Sequence, residues 1–141
     1  MAYKWDSILE TGYDNIDNQH KQLFTALNNL IEASSSGKGD RAVLDTLEFL
    51  TAYAIKHFTD EEKLQIDYDY PDYLYHRRLH DDFKKTVTEL NQRVCKEGPT
   101  ESLIYEVSDI IGSWLLNHIK GDDFRVATFV KVADSKARKG I

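Results

Sequence analysis

His57-Phe58-Thr59-Asp60-Glu61 and His76-Arg77-Arg78-Leu79-His80 decide how this chain must fold. Each pentad places two metal-capable side chains four residues apart. On an α-helix that spacing stacks both groups on one face. One helix then offers a histidine and a carboxylate, another offers two histidines, and the pairs can converge on one buried point. Working outward, each pentad joins an apolar seam with alternating spacings of 4 and 3. One runs Val43, Leu47, Leu50, Ala54, His57, Glu61 and Leu64; the other His76, His80, Phe83, Val87, Leu90 and Val94. Two further seams have the same form: Ile16, His20, Leu23, Leu27 and Leu30, then Ile104, Val107, Ile111, Trp114 and His118. Four such seams predict four packed helices.

Local signals set the expected boundaries. Asp17 reads as the N-cap of the first helix, and Ser34-Ser35-Ser36-Gly37-Lys38-Gly39 as the loop after it. Asp40 reads as the cap of the second helix, and the pattern breaks from Ile66 to Pro71. Pro71 fits the first turn of the third helix, where its missing N–H costs nothing. Gly98-Pro99 stops that helix and Thr100 caps the fourth. Gly121 weakens the helix after His118, and Phe124, Val126, Phe129 and Val130 predict a short packed extension. Residues 1–15 read as an N-terminal arm with Trp5 as a packing anchor. Residues 133–141 read as a polar, basic, flexible tail. The expected fold is an all-α, antiparallel, up-down-up-down four-helix bundle in a single domain over residues 1–141, with that arm and a short C-terminal extension.

The bulk numbers exclude several classes. A net charge of −6 argues against nucleic acid or an anionic membrane as a main partner. No apolar run approaches the roughly 20 residues a membrane helix needs, and the first ten residues carry no signal-peptide pattern. The lone Cys95 cannot form a disulfide within the chain; its bland role is an inert thiol near a helix end. Together these lead us to expect a cytoplasmic protein.

All five histidines fall on the seams, which take roughly two positions in seven. A single buried histidine is ordinarily a hydrogen-bonded structural residue. Five of them, with Glu61, among Leu, Ile, Val and Phe need far more polar partners than such a core offers. An ionised Glu61 there costs several kcal/mol unless paired or coordinated. A metal accepts the imidazole lone pairs and offsets the carboxylate charge. Without clustered thiolates, Cys-type structural zinc and iron–sulfur clusters are out. Imidazole with carboxylate suits iron, manganese, copper, nickel or zinc. The donor count suits two carboxylate-bridged metals better than one. A paired Glu-x-x-His is absent, and so is H-E-x-x-H, since Arg77 follows His76. Asp122, four residues beyond His118, fits simple helical geometry better as a further ligand than Asp123, five beyond.

These motifs resemble the hemerythrins, specifically the bacterial single-domain bacteriohemerythrins. The resemblance runs over nearly the whole chain: Trp5, Ile16-Asp17-Asn18-Gln19-His20-Lys21, His57-Phe58 with Glu61-Glu62, Tyr70-Pro71 with His76 and His80, then Trp114-Leu115-Leu116-Asn117-His118-Ile119 and Asp123. It implies a bundle holding two iron ions (Fe2+/Fe3+). His76, His80 and His118 would bind one iron, and His20 and His57 the other. Glu61 and Asp123 would bridge them beside an oxo or hydroxo group. Dioxygen would bind at the open position of the second iron, in a pocket lined by Phe58, Trp114, Leu115 and Ile119. The resemblance selects Asp123 over Asp122, with Gly121 letting the helix bend. Asp122, Asp60 and Glu62 then read as solvated surface charges. Two positions depart from the family's pattern: Gln65, where many relatives have methionine, and Val126, where many have tyrosine.

The function this implies is reversible dioxygen binding, as an oxygen carrier or store rather than an enzyme. Every seam His and Glu61 is already assigned as a ligand, leaving no spare acid or base. The competing readings are an oxygen or redox sensor acting through a signalling partner, a di-iron oxidase, peroxidase or NO-consuming enzyme, and iron handling. Any protein that accepts the oxygen is unknown.

Overall fold

A computed structural model describes residues 3–139. Its elements are a 3-10 turn at Ser7–Leu9, then α1 Asp14–Ser35, α2 Asp40–Asp67, α3 Tyr73–Glu97 and α4 Glu101–His118, a π-helical turn at Ile119–Asp123, and α5 Phe124–Lys139. No strand occurs among the described residues. Helices α1 to α4 pack as a ring in chain order, α1 against α2 and α4, α3 against α2 and α4. Short loops between them leave only antiparallel neighbours, so the chain is an up-down-up-down four-helix bundle. The seams face inward: Leu23, Leu27, Leu30, Leu47, Leu50, Val107 and Ile111 are almost fully buried in one continuous core. No helix is long and apolar enough to cross a membrane among the described residues.

Several boundaries move from those expected. Helix α1 begins three residues before Asp17, after Tyr13. The Asp17 carboxylate is buried and points back to the arm, accepting Thr11 N–H at 2.8 Å, Thr11 Oγ1–H at 2.8 Å and Gly12 N–H at 3.1 Å. It pins the arm rather than capping the helix. Helix α3 starts at Tyr73, so Pro71 lies in the preceding turn, which needs Asp69 at φ 54° to reverse the chain. Thr100 caps α4 as expected, its Oγ1 accepting Leu103 N–H at 3.2 Å.

The C-terminal stretch differs most. Residues 133–139 are helical, continuing α5 instead of forming a flexible tail; residues 140 and 141 lie outside the described residues. Ala133, Lys136 and Ala137 are good helix formers, and Tyr68 Oη donates to Asp134 Oδ1 at 2.7 Å, fastening the helix to the end of α2. Val126, Ala127 and Val130 are fully buried. Val126 and Val130 pack with Tyr70, beside Tyr13 of the arm. The arm covers the same end. Trp5 packs on Leu9, Phe24 and Ile119, with its ring edge-to-face on Phe24 at 5.6 Å.

Candidate metal centre

The four seams and the π turn bring seven donors together in the covered end of the bundle. Glu61, His76, His80, His118 and Asp123 form one nest; His20, His57, Glu61 and Asp123 form a second. All seven residues are buried, none more than 4 % exposed. The two carboxylates are common to both nests, and each divides its oxygens between them. Glu61 Oε1 lies 2.8 Å from His76 Nε2 and 3.3 Å from His80 Nε2, while Glu61 Oε2 lies 3.8 Å from His57 Nε2. Asp123 Oδ1 lies 3.0 Å from His76 Nε2 and 2.9 Å from His118 Nε2. Its Oδ2 lies 2.7 Å from His20 Nε2 and 3.6 Å from His57 Nε2.

Asp123 gets there through the π turn. Hydrogen bonding from i to i+5 brings residues five apart to the same side, so His118 and Asp123 share a face. Asp122 points elsewhere, its Oδ2 3.2 Å from the outer nitrogen, Nδ1, of His118.

This packing makes no sense as a set of ordinary hydrogen bonds. His57 Nε2, both Glu61 oxygens and Asp123 Oδ1 are buried without a hydrogen-bonded partner despite the short approaches. The donor atoms aim past one another at shared points. His118 Nε2 sits 2.9 Å from His76 Nε2 and 3.1 Å from His80 Nε2. Metal–nitrogen bonds of about 2.1 Å put adjacent donors of a six-coordinate ion about 3 Å apart, which matches these edges. The residues therefore fit metal ions.

As protein groups alone they frustrate one another. Burial, with Asp123 beside it, pushes the Glu61 carboxyl well above its usual range. Burial works the same way on Asp123, but His118, His20 and His57 outweigh it and hold that carboxyl well below. Burial and the neighbouring His76 and His118 push His80 down to about 2. Burial also opposes charging His118, yet Asp123 and Asp122 hold it up at about 9. A cation in the nests removes this conflict.

Around the donors lie apolar and aromatic walls. Phe58 stacks on His80 at 4.1 Å, and Trp114 stacks on His118 at 4.3 Å and on Phe83 at 4.0 Å. Leu115 and Ile119 are each 1 % exposed, Ile119 beside Phe24 and Leu9. Trp114, half-buried, thus lies against the three-histidine nest.

Three further residues back the histidines from outside, a role the sequence reading assigns to none of them. Glu62 and Asp122, expected as solvated charges, are half-buried against His80 and His118, with Glu62 Oε2 2.9 Å from His80 Nδ1. Gln19 Oε1 lies 2.6 Å from His57 Nδ1. Asp60 remains at the surface, tied to Lys56 and to Gln19. The i,i+4 spacing of His118 and Asp122 was the available signal for one of the three. Gln65 is fully buried with both amide atoms unpartnered.

The hemerythrin HHE cation binding domain model matches residues 11–130. The chain belongs to the hemerythrin family. The family model and the buried histidine and carboxylate cluster support a metal site suited to iron. The chain is 35% identical over 119 residues to a bacteriohemerythrin of Pseudomonas aeruginosa, covering 84% of this chain and 75% of the relative. A bacteriohemerythrin of Stenotrophomonas maltophilia is 35% identical over 127 residues, covering 90% and 80%. A myohemerythrin of Theromyzon tessulatum is 32% identical over 123 residues, covering 87% and 89%. A crystal structure of a hemerythrin leucine-to-alanine mutant superposes with a TM-score of 0.80 at 22% identity, covering 92% of this hemerythrin and 98% of that chain. At that identity it speaks for the fold.

Proposed function

We propose that this hemerythrin binds dioxygen reversibly at a pair of iron ions, as a carrier or store. The observation that carries the proposal is the division of the two carboxylates. Each sends one oxygen to a nest with three histidines and the other to a nest with two. His76, His80 and His118 would hold one ion, His20 and His57 the second, with Glu61 and Asp123 spanning both beside an oxo or hydroxo bridge. The second nest has one histidine fewer, which would leave room there for an added ligand. Bound as a ferrous pair, iron supplies the electrons that reversible dioxygen binding needs.

The protein's own part is positioning and exclusion. Asp60 can only accept, so the Gln19 amide nitrogen must face it and the Gln19 oxygen must face His57. His57 therefore carries its proton on Nδ1 and keeps a lone pair on Nε2, inside the nest. Glu62 and Asp122 fix His80 and His118 in the same way. Phe58, Leu115 and Ile119 keep water from the donors. Every titratable side chain in the nests is itself a ligand on this reading, which favours binding over turnover. A cytoplasmic setting, which keeps the exposed Cys95 reduced, belongs to the same proposal.

The test is an optical spectrum of the iron-loaded, reduced protein before air, after air, and after removing oxygen. A visible charge-transfer band that comes and goes with oxygen is the expected result. Rapid, irreversible conversion to a ferric spectrum without that band would overturn the carrier reading.

A further inference from the structure

The outer nitrogens of four of the five histidines, those of His20, His57, His80 and His118, are not treated alike. His80 Nδ1 meets Glu62 Oε2 at 2.9 Å, and His118 Nδ1 meets Asp122 Oδ2 at 3.2 Å. His57 Nδ1 instead meets the neutral amide oxygen of Gln19, and His20 Nδ1 is buried with no partner. Two carboxylates thus back the three-histidine nest, and none backs the two-histidine nest. A carboxylate on the outer N–H makes the inner nitrogen more basic and tightens its hold on a metal; a neutral amide does so less. Both nests share Glu61 and Asp123, so those residues cannot even out the difference.

Access differs as well. A cleft of ≈ 310 Å³ opens between α1 and α2, walled by Gln19, Asp60, Ile16 and Leu64 and reaching Glu61. Glu61 is 2 % exposed and neither of its oxygens has a hydrogen-bonded partner. Glu61 is the one donor in its lining, beside Gln19; no histidine of either nest, nor Glu62 or Asp122, lines it. The cleft thus reaches a shared carboxylate on the side of Gln19, the outer partner of His57.

From these two observations we infer that the nests are unequal metal sites filled in order. The three-histidine nest fills first and retains its ion, the two-histidine nest fills second and exchanges it through the α1–α2 cleft. Gln19 is the positioning residue that keeps the second site weak. This rests on the two-ion reading above. Asp122 also pairs with Arg125, which draws on its charge, so Glu62 is the cleaner probe of the strong site.

The experiment is a Mn(II) titration of the metal-free protein without oxygen, followed by electron paramagnetic resonance and by chelator competition. One equivalent should give the signal of isolated Mn(II), and the second should replace it with an exchange-coupled pair. The first step should be tighter by about tenfold or more. Glu62→Gln should weaken the three-histidine nest by about 10- to 100-fold, so that the two steps merge or the order of filling reverses. Gln19→Glu, combined with Asp60→Asn so that the new carboxylate faces no like charge, should tighten the second step and narrow the gap. A coupled pair from the first addition, equal affinities in the wild-type protein, or a Glu62→Gln effect confined to the second step would overturn the inference while leaving two ions bound. No Mn(II) uptake at all would remove the two-ion reading and this inference with it.

Discussion

One bundle holds two interiors. Toward the α1–α2 and α3–α4 loops the seams carry Leu27, Leu30, Val43, Leu47, Leu90, Val94 and Ile104, all buried in one apolar core. Toward the other end the same seams carry His20, His57, Glu61, His76, His80 and His118. The apolar half needs only shape, and each large side chain there contributes about 1.5–3 kcal/mol. The polar half needs partners it cannot supply to itself. The difference teaches a division of labour: the apolar half holds four helices in register, and that register presents the donors to one another at about the spacing an ion requires. The π turn and α5 cover the polar half, and so does the arm through Trp5 and Leu9, although its Tyr3 packs onto the apolar core.

The sharpest way to break this comparison is to remove a donor that touches both carboxylates. His76 Nε2 approaches Glu61 Oε1 and Asp123 Oδ1. His76→Ala should lose iron, and the loaded protein's extra stability should fall toward that of the metal-free form. Amide exchange should quicken around residues 16–20, 57–61 and 118–126, and stay slow around 27–30, 47–50 and 90–94. Unchanged iron content would sink the assignment of His76; uniform loosening of both halves would sink the division.

The converse experiment cuts the apolar half. Leu27 is fully buried, and Leu27→Ala should cost about 2–5 kcal/mol by denaturant unfolding of the metal-free protein. The folded fraction should still take up iron at wild-type stoichiometry. A variant of normal stability that failed to load would show that the halves cannot be separated.

The two halves were unequally legible in the sequence. The apolar half is a repeat of spacing, and spacing is all that a packed seam requires. The donors could be read for the same reason: His20, His57, Glu61, His76, His80 and His118 occupy seam positions, so the helical period that finds the core also finds them. Asp123 does not follow that period. A π turn changes the local count of residues per turn, and only Gly121 and the family pattern pointed to it. Glu62, Asp122 and Gln19 lie just off the seams, where a polar residue looks like ordinary solvent-facing surface. The roles of Glu62 and Gln19 depend on which helix lies opposite, which the sequence alone does not state, while Asp122 reaches His118 along its own segment. Residues 133–139 were misread because a polar, basic composition carries no apolar period, while α5 is held through Val126 and Val130 upstream and through Asp134.

A smaller cut tests whether the walls of the polar half exclude water. Leu115 lies between Ile111 and His118 on the buried face of α4, beside the seam position of Trp114, and is 1 % exposed. Leu115→Ala should leave iron loading intact, cost about 2–3 kcal/mol of stability, and speed conversion of the oxygenated protein to the ferric form. An unchanged or slower conversion, followed by the decay of the visible spectrum, would take Leu115 out of the wall.

The smallest expected effect falls on the cover. Gly112 of α4 is buried, and a Cβ built there would collide with the ring of Tyr3. Tyr3 is also tied to α1: its N–H donates to Asn28 Oδ1 and its carbonyl accepts from Asn28 Nδ2, both at 2.7 Å. Gly112→Ala therefore sets two effects against each other. Alanine in a helix interior is favoured over glycine by about 1 kcal/mol, and the displaced Tyr3 forfeits packing of similar size. Global stability should move by no more than about 1 kcal/mol either way, while the arm loosens. Trp5, two residues on from Tyr3, packed on Phe24 and 6.5 Å from the ring of His20, reports that locally. Its fluorescence should shift to longer wavelength with iron stoichiometry unchanged. If the emission stays where it is, the arm is held without Tyr3, and the cover depends on the Asp17 contacts to Thr11 and Gly12 instead.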